Sequence, residues 1–371
     1  MRRDALFVLL LCAALVAWLA AQVHRPAPET RSLSVTGLLG EAPEDFRRVT
    51  GPAPLEFPAD HAMHPGYRNE WWYFTGNLED PAGEPLGWQF TLFRFALDPA
   101  PRPDSAWAAD AVWMAHLAVS DGRQQRFYSS ERFAREALDL AGADPDHWWL
   151  KGWTVMAAGN GWQLVAEAED FAVELQLQPL KPVVLQGEAG YSRKGPERGN
   201  ASRYYSITRI RTRGTIRLGD EVLAVRGLSW LDREWGSHQL SERLEGWDWF
   251  ALQLDDGRDA MVYRLRGEDG SASPFSAGVL VEADGSSRYL AADDFETEVL
   301  ERWRDRQGVR WPVAWQVRIP GADLDLQIRA LFNHQRWYGA VDYWEGAVKI
   351  QDSATGESLG RGYLELSGYA N

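Results

Sequence analysis

Length, composition and charge narrow the range of functions open to the chain. Its 371 residues suffice for two domains, and 45% hydrophobic with 25% charged residues is typical of a folded globular protein. The formal charge of −14 opposes nucleic acid or an anionic membrane surface as a partner, because both would repel the chain. The unusual feature is a content of 19 Trp.

The first residues have the layout of a secretory signal peptide. Arg2 and Arg3 precede an apolar run that extends from residue 5 to residue 21 and ends in small residues. We predict a signal peptide over residues 1–21, with an uncleaved N-terminal anchor as the alternative. In both cases the folded part is expected to be extracytoplasmic, either periplasmic or secreted.

The next segment and the single cysteine complete the N-terminal prediction. Residues 22–60 are rich in Pro, Ala and Glu and are predicted to form a linker or tether. Cys12 lies inside the apolar run and is the only cysteine, so a cleaved chain would have neither disulfides nor thiol chemistry.

The remainder of the chain has the pattern of a β protein. From Tyr67 onward, short aromatic and β-branched runs are separated by Gly, Asp, Asn and Pro, as in antiparallel strands joined by tight turns. Trp88–Phe95 and Asp259–Arg266 are clear strand candidates. Helical periodicity is weak, and Ser130–Gly142 is the main candidate for a helix.

Two halves of the chain align with each other, which indicates an internal duplication. EWWYFTGNLED at Glu70–Asp80 aligns with GWDWFALQLDDG at Gly246–Gly257, so that Trp71 matches Trp247. Further matches follow in the same order: Thr91–Arg94 with Met261–Arg264, Tyr204–Tyr205 with Tyr343–Trp344, and Arg226–Trp230 with Arg361–Glu365.

The duplication predicts a mainly β fold of two tandem lipocalin-like antiparallel β-barrels. Strand runs at regular spacing favour barrels, which close their sheets and can hold an apolar ligand. The predicted boundaries are an N-terminal lipocalin-like domain at residues 61–237 and a C-terminal lipocalin-like domain at residues 238–371.

Several long motifs carry a resemblance to a known family. They include HPGYRNEWWYFTGNL, KPVVLQGEAGYSRKG, GLSWLDREWGSHQL and GWDWFALQLDDGR, and they run from His61 to the C-terminus. In these segments the chain resembles the carotenoid 1,2-hydratase (AttH-like) family, lipocalin-like proteins often described as predicted secreted hydrolases. The resemblance implies two lipocalin-like barrels, and, for the namesake activity, addition of water to a terminal double bond of an acyclic carotenoid without an organic cofactor.

The resemblance also implies positions for the reaction. The hydratase is expected to use an aspartate with nearby aromatic and histidine side chains, and Asp232, Trp235 and Asp248 are the matching positions. Arg233 stands where a carotenoid-acting member is expected to carry histidine. The sequence therefore departs from the family pattern beside the expected site.

The residues themselves suit acid-catalysed hydration of an isolated alkene. That reaction needs a protonated acid, which burial can provide, and aromatic faces that stabilise a carbocation. Asp232 and Glu234 stand between two tryptophans, and Asp248 stands between Trp247 and Trp249. Strand alternation places Asp232 and Glu234 on one face, and it separates Asp248 from its flanking tryptophans.

The candidate site residues follow from these arguments. The predicted catalytic residues are Asp248, Asp232 and Trp235. The predicted ligand-binding residues are Trp71, Trp72, Tyr73, Trp247, Trp249, Glu70 and His64. No metal site is predicted, because the seven histidines show no tight ligand spacing, and no GxSxG nucleophile motif is present.

Each candidate also has a structural interpretation. The paired tryptophans could pack a core, and Asp248 could be a paired structural carboxylate. Asp232 or Glu234 could pair with Arg233 in a turn. The polar loop Gly190–Ser202 could be a solvated hairpin or a rim that contacts an anionic head group.

The functional prediction has three alternatives. The first is a protein that binds a long apolar ligand, a terpenoid or lipid, and could hydrate it as a cofactor-independent hydro-lyase. The second is a non-catalytic carrier that works with a membrane export system. The third is a structural module whose barrels are filled by their own side chains. No cofactor and no nucleic acid partner is expected.

Overall fold

The computed structural model describes residues 43–100, 110–238 and 244–370. The predicted signal peptide at residues 1–21 and most of the predicted linker lie outside these ranges. Residues 43–60 of that linker pack on the first barrel, where Phe46 and Val49 are buried and the Ser237 hydroxyl donates to the Arg47 carbonyl. No helix in the described ranges is long and apolar enough to span a membrane.

A first antiparallel sheet contains thirteen strands and occupies the first half of the described chain. Its strands are β1 (Asn69–Glu79), β2 (Pro85–Ala96), β3 (Ala111–Asp121), β4 (Arg126–Arg135), β5 (Ala141–Ala143), β6 (His147–Leu150), β7 (Trp153–Ala158), β8 (Gly161–Glu167), β9 (Phe171–Pro179), β10 (Val184–Leu185), β11 (Tyr191–Arg193), β12 (Ala201–Leu218) and β13 (Glu221–His238). The order is β4-β3-β2-β1-β13-β12-β9-β8-β7-β6-β5, with β10 and β11 paired to β12.

A second antiparallel sheet contains ten strands and follows the first. Its strands are β14 (Leu244–Leu254), β15 (Asp259–Gly267), β16 (Ala277–Val281), β17 (Ser287–Leu290), β18 (Glu296–Arg304), β19 (Arg310–Ile319), β20 (Leu324–Ala330), β21 (Arg336–Tyr338), β22 (Asp342–Asp352) and β23 (Ser358–Ser367). The order is β17-β16-β15-β14-β23-β22-β20-β19-β18, with β21 paired to β22.

The predicted fold class is confirmed. The first sheet curls into a nearly closed barrel and the second into a half-barrel. The predicted helix at Ser130–Gly142 is wrong, because its first part is strand β4, which pairs with β3 along its length. The helical elements of the described residues are three short 3₁₀ turns: Ala59–His61, Ala292–Asp294 and Pro320–Ala322. Pairing with a neighbouring strand here overrides local propensity.

The strand register shows how the two halves correspond. β1 lies between β13 and β2, and β14 lies between β23 and β15. Tyr73 is opposite Asp232 in the first barrel, and Trp249 is opposite Glu365 in the second. With Trp71 matched to Trp247, Glu365 is therefore the counterpart of Asp232. The sequence alignment had matched Glu365 to Trp230, an error of two residues that keeps the same face of the strand.

Alternation along β1 separates two apolar regions. Trp72 and Phe74 point into the core of the first barrel, which is filled by its own side chains, among them Trp88 and Trp113. Tyr73 points outward into a cluster that also contains Trp249 of the second barrel. The paired tryptophans of EWWYF thus serve two regions: Trp72 packs the barrel, and Trp71 contacts the cluster between the barrels.

Candidate functional site

A cavity lies between the two barrels. The cavity and its mouth, which is open to solvent, together amount to about 1020 Å³ of atom-free space. Side chains of both barrels line it, because the outward faces of β1 and β13 meet those of β14 and β23. The lining residues are Trp71, Tyr73, Thr91, Phe93, Phe95, Met114, Lys194, Tyr204, Asp232, Glu234, Trp247, Trp249, Tyr263, Leu265, Val341, Tyr343, Glu345, Glu365 and Ser367.

Asp232 presents a carboxyl group to this cavity from β13. It is buried and accepts hydrogen bonds from the Trp230 indole at 2.6 Å, from the Ser206 hydroxyl and from the Tyr204 hydroxyl. Burial raises the pKa of Asp232 to about 6, although these three donors oppose the shift. The group can therefore exchange a proton near neutral pH.

Two further carboxyl groups face the cavity from the second barrel. The Trp247 indole donates to Glu365 at 3.0 Å, and the Tyr73 hydroxyl of the first barrel donates to Glu345. Burial raises the pKa of Glu365 to about 8, and Asp232 adds to the shift. Burial also raises the pKa of Glu345 well above its usual range, with Glu365 as the second cause. At neutral pH this side of the cavity holds protonated acids.

The cation of the cavity lining is Lys194, which the sequence placed in a polar loop. Its ammonium lies 3.3 Å from the Glu234 carboxylate and 4.0 Å from the centroid of the Tyr263 ring. Burial disfavours this charge, but Glu234 and Tyr263 outweigh burial and raise the pKa of Lys194. The loop thus contributes a buried, charged lysine to the cavity.

A chain of hydrogen bonds leads from the cavity toward the surface. The Tyr343 hydroxyl contacts Nδ1 of the fully buried His116, whose Nε2 lies 3.0 Å from the partly exposed Glu131 carboxylate. Because that carboxylate accepts from Nε2, Nδ1 is left to accept the Tyr343 proton. Burial lowers the pKa of His116, so its neutral form predominates at neutral pH.

Comparisons with known proteins give the family. The profile of the AttH-like family matches residues 48–369, which is most of the chain. The chain belongs to the AttH-like family. A search of curated proteins finds no match. The resemblance read from the motifs is confirmed.

Solved structures share the fold of this AttH-like chain. A crystal structure of an AttH candidate from Nitrosomonas europaea is 36% identical, with a TM-score of 0.80, and the match covers 87% of this chain and 99% of that one. Kievitone hydratase from Nectria haematococca is 13% identical, with a TM-score of 0.63 and coverage of 89% and 98%. CghA, solved with Sch210972, is 16% identical, with a TM-score of 0.52 and coverage of 90% and 99%.

The structure divides the predicted site residues of this AttH-like chain into two groups. Those that line the inter-barrel cavity are Asp232, Trp71, Tyr73, Trp247 and Trp249. Those that lie elsewhere are Asp248, Trp235, Trp72, Glu70 and His64. Strand alternation accounts for the division of the strand residues, since neighbouring residues of one strand point to opposite faces, whereas His64 lies before the first strand.

Four of the predicted site residues that lie outside the cavity surround Arg233: Glu70, His64, Trp72 and Trp235. This buried guanidinium lies 2.6 Å from the Glu70 carboxylate and 3.8 Å from the centroid of the Trp72 ring. His64 contacts Glu70 at 3.1 Å and stacks on Trp235 with a centroid distance of 3.9 Å. Burial opposes ionisation of Glu70, but Arg233, His64 and Arg94 together outweigh burial and lower the pKa of Glu70 to about 2.

Asp248 occupies the corresponding face of the second barrel. Arg266 donates to it at 2.9 Å, Arg264 at 3.2 Å and the Tyr369 hydroxyl at 2.7 Å. Burial raises the pKa of Asp248, and Arg266 is the main opposing cause. Trp72 of the first repeat and Asp248 of the second therefore occupy matching positions with different contacts. The Trp72 ring contacts one arginine, Arg233, whereas the Asp248 carboxylate binds two, Arg264 and Arg266.

Sequence reasoning missed Glu345, Glu365, Tyr343 and His116 as site residues. Tyr343 and Glu365 both belong to segments that the repeat alignment matched. Shifting the second of these segments by two residues aligns Glu365 with Asp232. His116 carried no such signal, because its partner Tyr343 lies in the other barrel. Among the described residues, no group of three His, Cys, Asp or Glu side chains could hold a metal ion.

Proposed function

We propose that the protein binds a long apolar molecule, a terpenoid or lipid, in the inter-barrel cavity and adds water to it by acid catalysis. One observation carries this proposal: two carboxyl groups of different acidity, Glu365 and Asp232, face the same aromatic cavity. With a pKa of about 8, Glu365 is mainly protonated at pH 7, whereas Asp232, at about 6, is mainly ionised. Carboxyl groups whose environments separate their pKa values are suited to acid and base roles.

The proposed steps balance without any cofactor. Glu365 donates its proton to one alkene carbon, and positive charge forms on the other carbon. The faces of Trp71, Trp247 and Trp249 stabilise this charge through their quadrupoles. Water then adds to the cation, and Asp232 accepts the proton that the water loses. Transfer of that proton back to Glu365 restores the site, so the net change is the addition of one water.

Two further features support the proposal. The structural neighbour named kievitone hydratase supports hydration as the class of reaction. The chain from Tyr343 through His116 to Glu131 offers a route by which cavity protons can equilibrate with solvent. The proposal retains an extracytoplasmic location, which the layout of residues 1–21 supports.

A hydration assay tests the proposal. The purified protein is incubated with acyclic carotenoids and with total membrane lipid, and mass spectrometry detects the gain of one water. We expect Glu365→Gln and Asp232→Asn each to reduce the rate by about 10²–10⁴-fold, the usual contribution of a general acid or base. Glu174, an exposed residue of β9, gives the matched control Glu174→Gln, which should retain the full rate.

The second candidate is a non-catalytic lipid carrier that passes its cargo to an export system. The predominance of aromatic and aliphatic side chains in the cavity lining favours it. Lipid that co-purifies without conversion, and whose amount is unchanged in Glu365→Gln, would support the carrier and contradict hydration. Absence of both ligand and product would contradict both proposals.

A further inference from the structure

Three carboxyl groups of the cavity, the buried Asp232 and Glu345 and the half-buried Glu365, differ from most buried carboxylates of the described chain. Glu70, Asp248, Asp259, Glu234 and Asp305 each form an ion pair with arginine or lysine. Among the described residues, Asp232, Glu345 and Glu365 have no such partner and accept from neutral hydroxyl and indole donors. Buried carboxylates are normally paired with a cation, so these three groups have no cation in the described structure that stabilises their ionised forms.

The lining already holds one ammonium group. Lys194 lies against the Tyr263 ring at 4.0 Å, against the Tyr204 ring at 5.1 Å, and beside Glu234. Its surroundings combine aromatic faces with a carboxylate, the combination by which proteins bind ammonium groups. The same combination recurs beside Glu365, whose neighbours Trp247 and Trp249 line the cavity.

An independent feature is a polar group of the cavity lining that makes no hydrogen bond within the described structure. Ser367 lines the cavity on β23, next but one to Glu365, and is 1% exposed. Its hydroxyl oxygen has no hydrogen-bond partner within the described structure. A buried hydroxyl without a partner costs free energy, which a ligand atom in the cavity would offset.

We propose that the cavity binds a ligand that carries positive charge on an apolar skeleton, an alkylammonium compound being the simplest example. The aromatic faces and the three unpaired carboxyl groups supply the charge complementarity, and the remaining apolar lining receives the skeleton. This inference rests on the proposed function because it concerns the same cavity, and it adds the charge of the ligand to that proposal. A bound ammonium reproduces the charge of the carbocation that hydration requires.

Binding of a cation is coupled to loss of protons from the cavity. Glu365, with a pKa of about 8, must ionise to pair with an ammonium group, so affinity for the cation should rise as pH rises through that value. A neutral ligand gains nothing from this ionisation. The charged and titratable groups that line the cavity with Glu365 are Asp232, Glu234, Glu345, Lys194, Tyr73, Tyr204, Tyr263 and Tyr343.

Three probes with one alkyl chain test the proposal. Isothermal titration calorimetry compares decyltrimethylammonium, decanol and decanoate, below their micellar concentrations, at about pH 6 and about pH 9. We expect decyltrimethylammonium to bind at least about 10-fold more tightly than decanol at the higher pH, a difference of about 1.4 kcal/mol. The preference should shrink at the lower pH, and buffers of different ionisation enthalpy should reveal proton release.

Variants locate the effect at the cavity. Glu365→Gln should lose most of the preference for the ammonium probe over decanol and the pH dependence of that preference, and Glu174→Gln should behave as wild type. Asp232→Asn is a second cavity variant, and circular dichroism verifies that each variant is folded. Equal affinity for decanol and decyltrimethylammonium at both pH values would overturn the proposal, as would tighter binding of decanoate.

The outcome is separable from that of the hydration assay, which uses neutral alkenes. A protein that prefers the ammonium probe but forms no hydrated product would retain this inference and lose the proposed function. A protein that forms hydrated product without any ammonium preference would retain the function and lose the inference.

Discussion

The two faces of strands β13 and β14 carry buried acids of contrasting character. On the cavity face, Asp232 accepts hydrogen bonds from neutral donors. On the opposite face, Asp248 is held between Arg264 and Arg266. Both acids have tryptophans within three residues on either side in the sequence, and both are buried. The comparison shows that the partner decides the role: an acid bound by two arginines stabilises the fold, whereas one without a cation can exchange protons.

The largest expected effect comes from making the same substitution on both faces. Asp248→Asn leaves Arg264 and Arg266 without their carboxylate, and we expect a loss of about 3–5 kcal/mol in the free energy of unfolding. Asp232→Asn keeps neutral partners and should cost about 1 kcal/mol. Urea denaturation measures both, and equal losses would remove the distinction between the faces.

A pH-dependent effect is expected at Glu365. Its pKa is raised from 4.5 to about 8 by burial, so the unfolded chain binds fewer protons than the native protein between these values. Wild-type stability should therefore fall as pH rises through this window. Glu365→Gln removes the cost of ionisation and should be more stable than wild type by about 4 kcal/mol at pH 8, with little difference at pH 4. Thermal unfolding across pH checks this, and a constant difference would contradict it.

The neighbouring tryptophans offer a matched pair with a smaller expected effect. Trp72 is fully buried, donates to the His61 carbonyl at 2.8 Å and lies under Arg233. Trp72→Phe should therefore cost about 1.5 kcal/mol of stability, with cavity binding retained. Trp71→Phe should change stability little but weaken binding of the decyl probes. Denaturation and calorimetry on both variants are the measurement, and exchanged outcomes would refute the assignment of faces.

The smallest effect is expected at the outer end of the hydrogen-bond chain. The Glu131 carboxylate opposes the burial that lowers the pKa of His116. Glu131→Gln should therefore lower that pKa further and cost at most about 1 kcal/mol of stability, because the pair is partly exposed. The ring nitrogen chemical shifts of His116, followed across pH by nuclear magnetic resonance, report the change. A His116 pKa that rises in the variant would show that this carboxylate does not act on the ring.

The candidate site was predictable only in part, because the sequence shows which residues share a face of a strand but not which distant segments contact them. Period-two alternation places Asp232 and Glu234 on one face of β13, and the structure shows both at the cavity. The sequence did not show that Asp248 has two arginine partners, because Arg264 and Arg266 become its neighbours only when β15 pairs with β14. Glu345 and His116 were missed because their contacts cross from one barrel to the other.

The amino-acid sequence by itself determined the mainly β class, the duplication and the family, because these depend on local pattern and on motifs that stay adjacent along the chain. The tertiary structure alone decided where the cavity lies and which acids face it. The sequence left open whether a ligand site lies inside a barrel or between the barrels; tryptophans fill the first barrel, and the cavity lies between the two. Packing of outward faces and pairing of distant charges are interactions between segments far apart in sequence, and only the folded chain brings them together.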